Sequence, residues 1–293
     1  MSAADSLRRF IFEHHNVRGE WVQINDSFLQ AKQHQDLVNP AVEAELGKAL
    51  AAVVLLSATI KFKGTMIMQL QGKGDLTALV AHADNQQHIR GLVRSQETVA
   101  GDNLKQMVGE SGRLVLTIES ENGERYQGIV GVDADHLNQV LENYFQQSEQ
   151  LATRIWLFAN SERAAGLLLQ ELPGTGDGNK QDWDHLQILA NTLTAEEMLN
   201  LDCETLLHRL FHEEQVRLYE SDPVRFKCGC SNDKIATTLV ALGRSELESI
   251  LKDHGEIAVD CQFCGAKYRF DNVDVERILH NADFDPNKPT ILH

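Results

Sequence analysis

The sequence predicts an α+β protein: a mixed helix and sheet domain followed by a helical linker and a small, cysteine-bearing C-terminal module. Three observations point there. Helical and alternating strand patterns interleave as far as Gly176. A glycine-rich break follows, and four of the five cysteines then fall in two short clusters near the C-terminus. At 293 residues the chain can bury one large core and still supply something smaller.

The first strong element is a helix over "NPAVEAELGKALAAVVLLSATIKF". Asn39 can cap it, Pro40 suits the first helical position, and an apolar body follows. The uncharged run from Ala49 to Ile60 is about half a membrane span and is bracketed by Lys48 and Lys61, which predicts a buried helix. "GTMIMQLQGKG" then alternates. Met66, Met68 and Leu70 share one face against Thr65, Gln69 and Gln71, with Ile67 out of pattern, so it reads as a strand ended by glycines. "RLVLTIESENGERYQGIVGV" reads as a hairpin in which Asn122 and Gly123 supply the positive φ angles of a tight turn. From about Asp135 a long helix is expected through "LNQVLENYFQQSEQLATRIWLFA", broken near Ser148. No internal repeat is evident.

"LPGTGDGNK" (Leu172 to Lys180) carries a proline and three glycines in nine residues and marks a boundary. It lacks the Gly-x-Gly-x-x-Gly and Gly-Lys-Ser/Thr patterns, so it reads as a linker and not as a phosphate loop. From Asp182 to Lys227 the pattern is helical in short pieces. Trp183, Leu186, Leu189 and Leu193 share a face, Thr194 and Glu197 form a capping box, and Leu206, Leu207, Leu210 and Phe211 continue the apolar stripe. Such brief helices depend on docking for their stability. The expected division is therefore a core domain over 1–176, a conditionally folded helical linker over 177–227, and a metal module over 228–293.

The module carries the chemistry. "FKCGCSNDKI" supplies Cys228 and Cys230, and "DCQFCGAKYRF" supplies Cys261 and Cys264. Zinc takes four ligands in a tetrahedron, and two thiolates one or two residues apart can hold it from one turn. The insertion between the pairs can form two short helices, the second opened by Ser245 with Glu248 three residues on. Gly265 suits a turn whose backbone amides face the sulfurs, and Tyr268 and Phe270 alternate as a small strand. The spacing favours zinc over an iron–sulfur cluster, and no βαβ context supports a thioredoxin-like reading of Cys261 and Cys264. Cys203 stands apart in the linker and reads as a small buried hydrophobe.

Composition narrows the function. A formal charge of −16 argues against non-specific nucleic-acid binding. Five cysteines in a long chain whose first residues lack an apolar signal core predict a cytoplasmic protein with thiols in metal or redox roles. "HEEQV" at His212 lacks the second histidine of a zinc-protease helix. His14 and His15 have no evident partner and read as surface or local packing. Two rivals remain: a zinc-ribbon nucleic-acid binder using Lys227, Lys234, Arg244, Lys267 and Arg269, and a thiol oxidoreductase using Cys261 and Cys264.

The Cys-x-Cys, the length of the insertion and the Cys-x-x-Cys-Gly-x-x-Tyr run resemble the redox-regulated heat-shock chaperones of the 33 kDa chaperonin family. "GTMIMQLQGKGDLTALV", "HIRGLV" and "YFQQSEQLATRIWL" resemble that family's N-terminal domain, so the likeness runs nearly end to end. It implies a non-enzymatic, ATP-independent holdase for unfolding proteins, inactive with one zinc on Cys228, Cys230, Cys261 and Cys264. It further implies that oxidation pairs Cys228 with Cys230 and Cys261 with Cys264, releases zinc, unfolds the linker and favours a homodimer. Neither nucleic acid nor membrane is an expected partner.

Overall fold

The stretch Pro40–Thr59 is apolar around nearly its whole circumference, and most of it, from Val42 to Ser57, is buried. A helix of that kind needs cover on every side. Asn39 caps it through Oδ1, which accepts from the amides of Ala41 and Val42 at 2.8 and 3.4 Å, and Pro40 fills the first turn as expected.

The structure is a computed structural model that describes residues 5–35, 37, 39–172 and 180–283. The expected break at 173–179 and the tail "DPNKPTILH" lie outside the described residues. The chain divides into two compact units, Met1–Lys227 and Cys228–His293. The first opens with β1 (Ser6–Phe12), β2 (Val17–Ile24), α1 (Asp26–Lys32) and the long helix α2 (Pro40–Thr59). Next come β3 (Gly64–Gln71), β4 (Leu76–Asp84), β5 (His88–Ser95), α3 (Leu104–Val108), β6 (Arg113–Ser120) and β7 (Arg125–Gly131). Helix α4 (Leu137–Tyr144) runs into a π turn over Phe145–Glu149, followed by β8 (Thr153–Ala159) and β9 (Ala164–Glu171). Helices α5 (Lys180–Ala190), α6 (Ala195–Asn200) and α7 (Cys203–Phe211) precede β10 (Val216–Pro223) and β11 (Arg225–Phe226).

Two sheets enclose α2. One has the order β10-β1-β2-β9-β8, the other β11-β5-β4-β3-β6-β7. The helix packs on β2, β8 and β9 on one side and on β3, β4 and β5 on the other. Met66, Met68 and Leu70 point into this core, as their alternation predicts, and Ile67 is only the outward residue between them.

The opposite face of the first sheet is apolar too. Phe10, Phe12, Val17, Trp21, Ala165, Leu167 and Leu169 line it, and α5–α7 cover it with Leu186, Leu193, Met198, Leu206, Leu210 and Phe211. The phenyl ring of Phe10 lies over Gly19, where a Cβ would meet ring carbons at 2.1 Å, so glycine is what lets the ring sit flat on the strand. Polar ties supplement the packing. Gln23 Nε2 donates to the Met198 carbonyl at 3.1 Å, Arg163 Nη1 to the Leu199 carbonyl at 3.0 Å, and Trp156 Nε1 to Asn191 Oδ1 at 3.2 Å. The capping box of Thr194 and Glu197 is formed.

Four expectations for this unit need correction. The helix after Asp135 ends early, and Thr153–Ala159 is a strand. Gln150, at φ 55°, reverses the chain, and Thr153, Ile155 and Leu157 then alternate inward at period two. Val216–Pro223 is likewise a strand and not helix, because the free edge of β1 takes it up as an antiparallel partner. In the hairpin turn only Gly123 has positive φ, at 86°, with its amide donating to the Ser120 carbonyl at 2.9 Å, so Asn122 stays in an ordinary conformation within a three-residue loop. His14 and His15 do have partners: His14 Nε2 lies 3.1 Å from Gln215 Oε1, and His15 Nε2 lies 2.8 Å from Glu214 Oε2.

Leu50 is fully buried in α2, whereas Ile188 on α5 is 66% exposed. Leu50→Ala is expected to lower unfolding stability by about 2–5 kcal/mol, and Ile188→Ala to change it by less than about 0.5 kcal/mol. Chemical denaturation of the reduced protein checks both.

Candidate metal centre

Two reverse turns bring the four clustered cysteines together. In the second, the Gly265 amide donates to the Cys261 carbonyl at 2.7 Å and the Cys261 amide to the Ala266 carbonyl at 2.8 Å. Gly265 closes this turn at φ 67°, a left-handed conformation that glycine adopts without strain. The amides face sulfur as expected, Cys230 N–H toward Cys228 and Ala266 N–H toward Cys264. In the first turn, Lys234 Nζ donates to the Gly229 carbonyl at 2.8 Å.

The rest of the module holds these turns in place. Helix α8 (Asn232–Val240) starts at Ser231, whose hydroxyl accepts from the Lys234 amide at 3.3 Å. Helix α9 (Arg244–His254) follows, capped by Gly243 and not by Ser245, so the Ser245–Glu248 pair is no capping box. Strands β12 (Ile257–Asp260) and β13 (Lys267–Phe270) pair on either side of the second turn, and α10 (Asn272–Asp283) closes the unit. Its core is small: Leu239, Leu247, Ile257, Phe270, Val275 and Leu279 are the buried apolar side chains among the described residues.

Cys228, Cys230, Cys261 and Cys264 place their Sγ atoms within 4.8 Å of one another. Across the two turns, Cys228 and Cys261 are 3.6 Å apart, and Cys230 and Cys264 are 3.4 Å apart. A tetrahedral zinc with bonds of about 2.3 Å requires sulfur–sulfur edges of roughly 3.8 Å, so the cluster has the dimensions of a four-thiolate site. Its protonation also suits a cation. Burial pushes the Cys230 thiol up, but hydrogen bonds from Tyr268, Cys264, Cys228 and Cys261 outweigh it and bring it down to about 7. Cys264 is pushed up to about 12 and Cys228 is also raised, first by burial. The group thus carries one thiolate readily. Four thiolates this close repel strongly unless a cation sits among them.

Tyr268, a strand residue and the tyrosine of the Cys-x-x-Cys-Gly-x-x-Tyr run, has a role at the cluster that the sequence does not assign. Its hydroxyl bonds the Cys230 sulfur, which raises the phenol to about 12. The placement follows from β13 pairing with β12, a register that residue spacing alone does not reveal. Cys203 lies outside this group, 4% exposed in the core beneath α7, and burial pushes its thiol up to about 12 against the pull of Arg8. Among the described residues no helix is long and apolar enough to cross a membrane.

Comparison with known proteins covers nearly the whole chain. A profile of the family described as "Hsp33 protein" matches residues 5–271. The 33 kDa chaperonin of Nitrosococcus oceani is 50% identical over 95% of this chain and 96% of its own length. That of Shewanella frigidimarina is 46% identical over 95% of this chain and 96% of its own. The crystal structure of a 33 kDa chaperonin from Thermotoga maritima superposes with a TM-score of 0.82 at 21% identity. It covers 96% of this chain and 99% of the other, and at that identity it speaks for the fold.

Metal content separates the clustered thiols from the lone one. Reduced Cys203→Ser protein is expected to keep the metal content of the parent, while Cys264→Ser loses most of it. Equal loss in both variants contradicts the assignment.

Proposed function

The chain belongs to the Hsp33 family of 33 kDa chaperonins, and from that premise we propose that it is a redox-regulated, ATP-independent holdase for unfolding proteins. The observation that carries the proposal is the convergence of four thiols, from two turns about thirty residues apart in sequence, within 4.8 Å.

In the reduced protein Cys228, Cys230, Cys261 and Cys264 hold one zinc ion as thiolates. The free energy of such binding, about 10–16 kcal/mol, is largely folding free energy in a small module. Six buried apolar side chains make a core too small to replace it. Oxidation pairs Cys228 with Cys230 and Cys261 with Cys264. For each pair, one peroxide takes two electrons and two protons: the first sulfur becomes a sulfenic acid with loss of one water, and the second thiol attacks that sulfur, forming the S–S bond and expelling the second water. The sulfurs then no longer serve as thiolate ligands. Each disulfide closes a loop of only a few residues and so restrains little chain. What the four thiolates tied together across the insertion is untied.

Residues 177–227 act as the conditional segment between the core over 1–176 and the module over 228–293. Helices α5–α7 are short, and their stability comes from the sheet face beneath them. Strands β10 and β11 are hydrogen-bonded into the two sheets, so the helices are the part expected to leave first. Their departure uncovers Phe10, Phe12, Trp21, Leu167 and Leu169 on a sheet still braced by α2 on its other face. A broad apolar surface of this kind takes non-native chains without strict geometry, or a second copy of itself. The work is stoichiometric, involves neither nucleotide nor nucleic acid, and belongs in the reducing cytoplasm, where an oxidant is a signal.

Suppression of thermal aggregation of an unrelated protein tests the reading. Peroxide-treated protein is expected to suppress it at near-stoichiometric ratios without ATP, and reduced zinc-loaded protein to do so poorly. Equal protection by both forms, or a need for ATP, contradicts the proposal. Catalytic turnover of dithiols would favour an oxidoreductase, and salt-dependent RNA binding a zinc-ribbon protein. Hydrogen exchange is expected to show protection lost on oxidation in 228–283 and across α5–α7, and retained in α2.

A further inference from the structure

Helix α5 is tied to the sheet by a charged group that neither the core nor the cysteine cluster explains. His15 stands in the turn between β1 and β2, and both of its ring nitrogens face carboxylates. Nε2 lies 2.8 Å from Glu214 Oε2, in the turn before β10, and Nδ1 lies 3.2 Å from Asp182 Oδ2 on α5. The other oxygen of Glu214 is 3.0 Å from Nε2 of His185, one turn further along α5. The side chains of His15 and Glu214 are only 16% and 15% exposed, so their interaction is partly shielded from solvent.

A neutral imidazole has one N–H and one lone pair, so between two carboxylates one nitrogen must face an acceptor as an acceptor. Only the imidazolium satisfies both sides. Nδ1 is buried and makes no aligned hydrogen bond, so what it gains from Asp182 is charge attraction, which vanishes with the proton. We propose that His15 is a pH-responsive latch on α5: its protonated ring ties the helix to the β1–β2 turn, and rising pH loosens that end of the sheet's cover. The consequence for activity rests on the reading of α5–α7 as the conditional cover. The latch itself does not.

Burial opposes protonation of His15, but its hydrogen bond to Glu214 and the negative charges of Glu214 and Asp182 outweigh it and raise its pKa. A raised value in the folded state means the contribution is whole below about 6.5 and is lost as pH rises through the raised value. His15 and His185 in turn lower the Glu214 carboxyl against the effect of burial, so Glu214 stays charged throughout this window. The groups facing His15 are thus Asp182 on α5 and Glu214 before β10, with His185 joined through Glu214. The Phe12 ring, 6.2 Å away, adds no charge. Glu20, raised to about 7 mainly by burial, also titrates in this range but belongs to the opposite face of the sheet.

The test is hydrogen exchange of the α5 amides in the reduced, zinc-loaded full chain at about pH 6 and about pH 8.5, corrected for intrinsic rates. Opening of α5 is expected to rise severalfold between the two, because the raised ring pKa couples protonation to the closed helix. In His15→Gln, α5 is expected to be open already at the lower pH and to change little. Asp182→Asn, which lets a neutral ring satisfy its remaining partner, is also expected to flatten the response. NMR titration of His15 in the unaltered chain gives a reading independent of any variant, and a ring pKa at or below about 6.5 overturns the latch. A flat response in the parent overturns it, as does the same slope in His15→Gln, which would place the titration on another group. If α5 ignores pH yet is exposed by oxidation, the latch fails and the redox switch stands. If α5 follows pH but is untouched by oxidation, the latch stands and the switch reading fails.

Discussion

Both faces of the five-stranded sheet are apolar, and each must be kept from water. Strands β2 and β9 are buried along almost their whole length, with Val22, Ile24 and Leu168 on one side and Trp21, Leu167 and Leu169 on the other. Burying side chains of this size is worth about 1.5–3 kcal/mol each, so neither face can stay bare in a resting protein. The two covers differ in kind. Helix α2 spans twenty residues and is held between two sheets. Helices α5–α7 span eleven, six and nine residues and have the sheet on one side only. An asymmetry of this sort lets one face be permanent and the other conditional.

The small unit depends on a different interaction. With six buried apolar side chains among its described residues, its order leans on what holds two turns together across a thirty-residue insertion. On the proposed reading four sulfurs serve that purpose well, because their proximity favours a cation and thiolates are what oxidants attack. Stability and sensitivity would then come from the same atoms. Tyr268 and the inward-facing amides set the sulfurs' charge without adding ligands.

Where the reading from sequence departs from the structure, the cause is tertiary pairing. "TRIWLFA" continues a helical pattern in the sequence, yet it pairs with β9 as an antiparallel strand. "VRLYESDP" looks like the solvated end of a helical stretch and instead completes β1. Its exposed, charged face is what an edge strand tolerates. Several signals that lie within one turn of chain are legible: the Asn39–Pro40 start, the Thr194–Glu197 box, and the two cysteine pairs, whereas the Ser245–Glu248 pattern is not used as a cap.

Taken by itself, the sequence determined the local chemistry of this protein: which stretch must be buried, where helices begin, and which four thiols share a spacing suited to one metal. Those features depend on residues a few positions apart. Only the tertiary structure decided that α5–α7 lie on a second apolar sheet face, that Tyr268 reaches Cys230, and that His15 meets Asp182 and Glu214. The partners of His15 lie some 170 and 200 residues away in sequence, and the register of strands brings them within 3.2 Å. No local pattern encodes such a meeting, because it is the packing of the whole sheet that sets it.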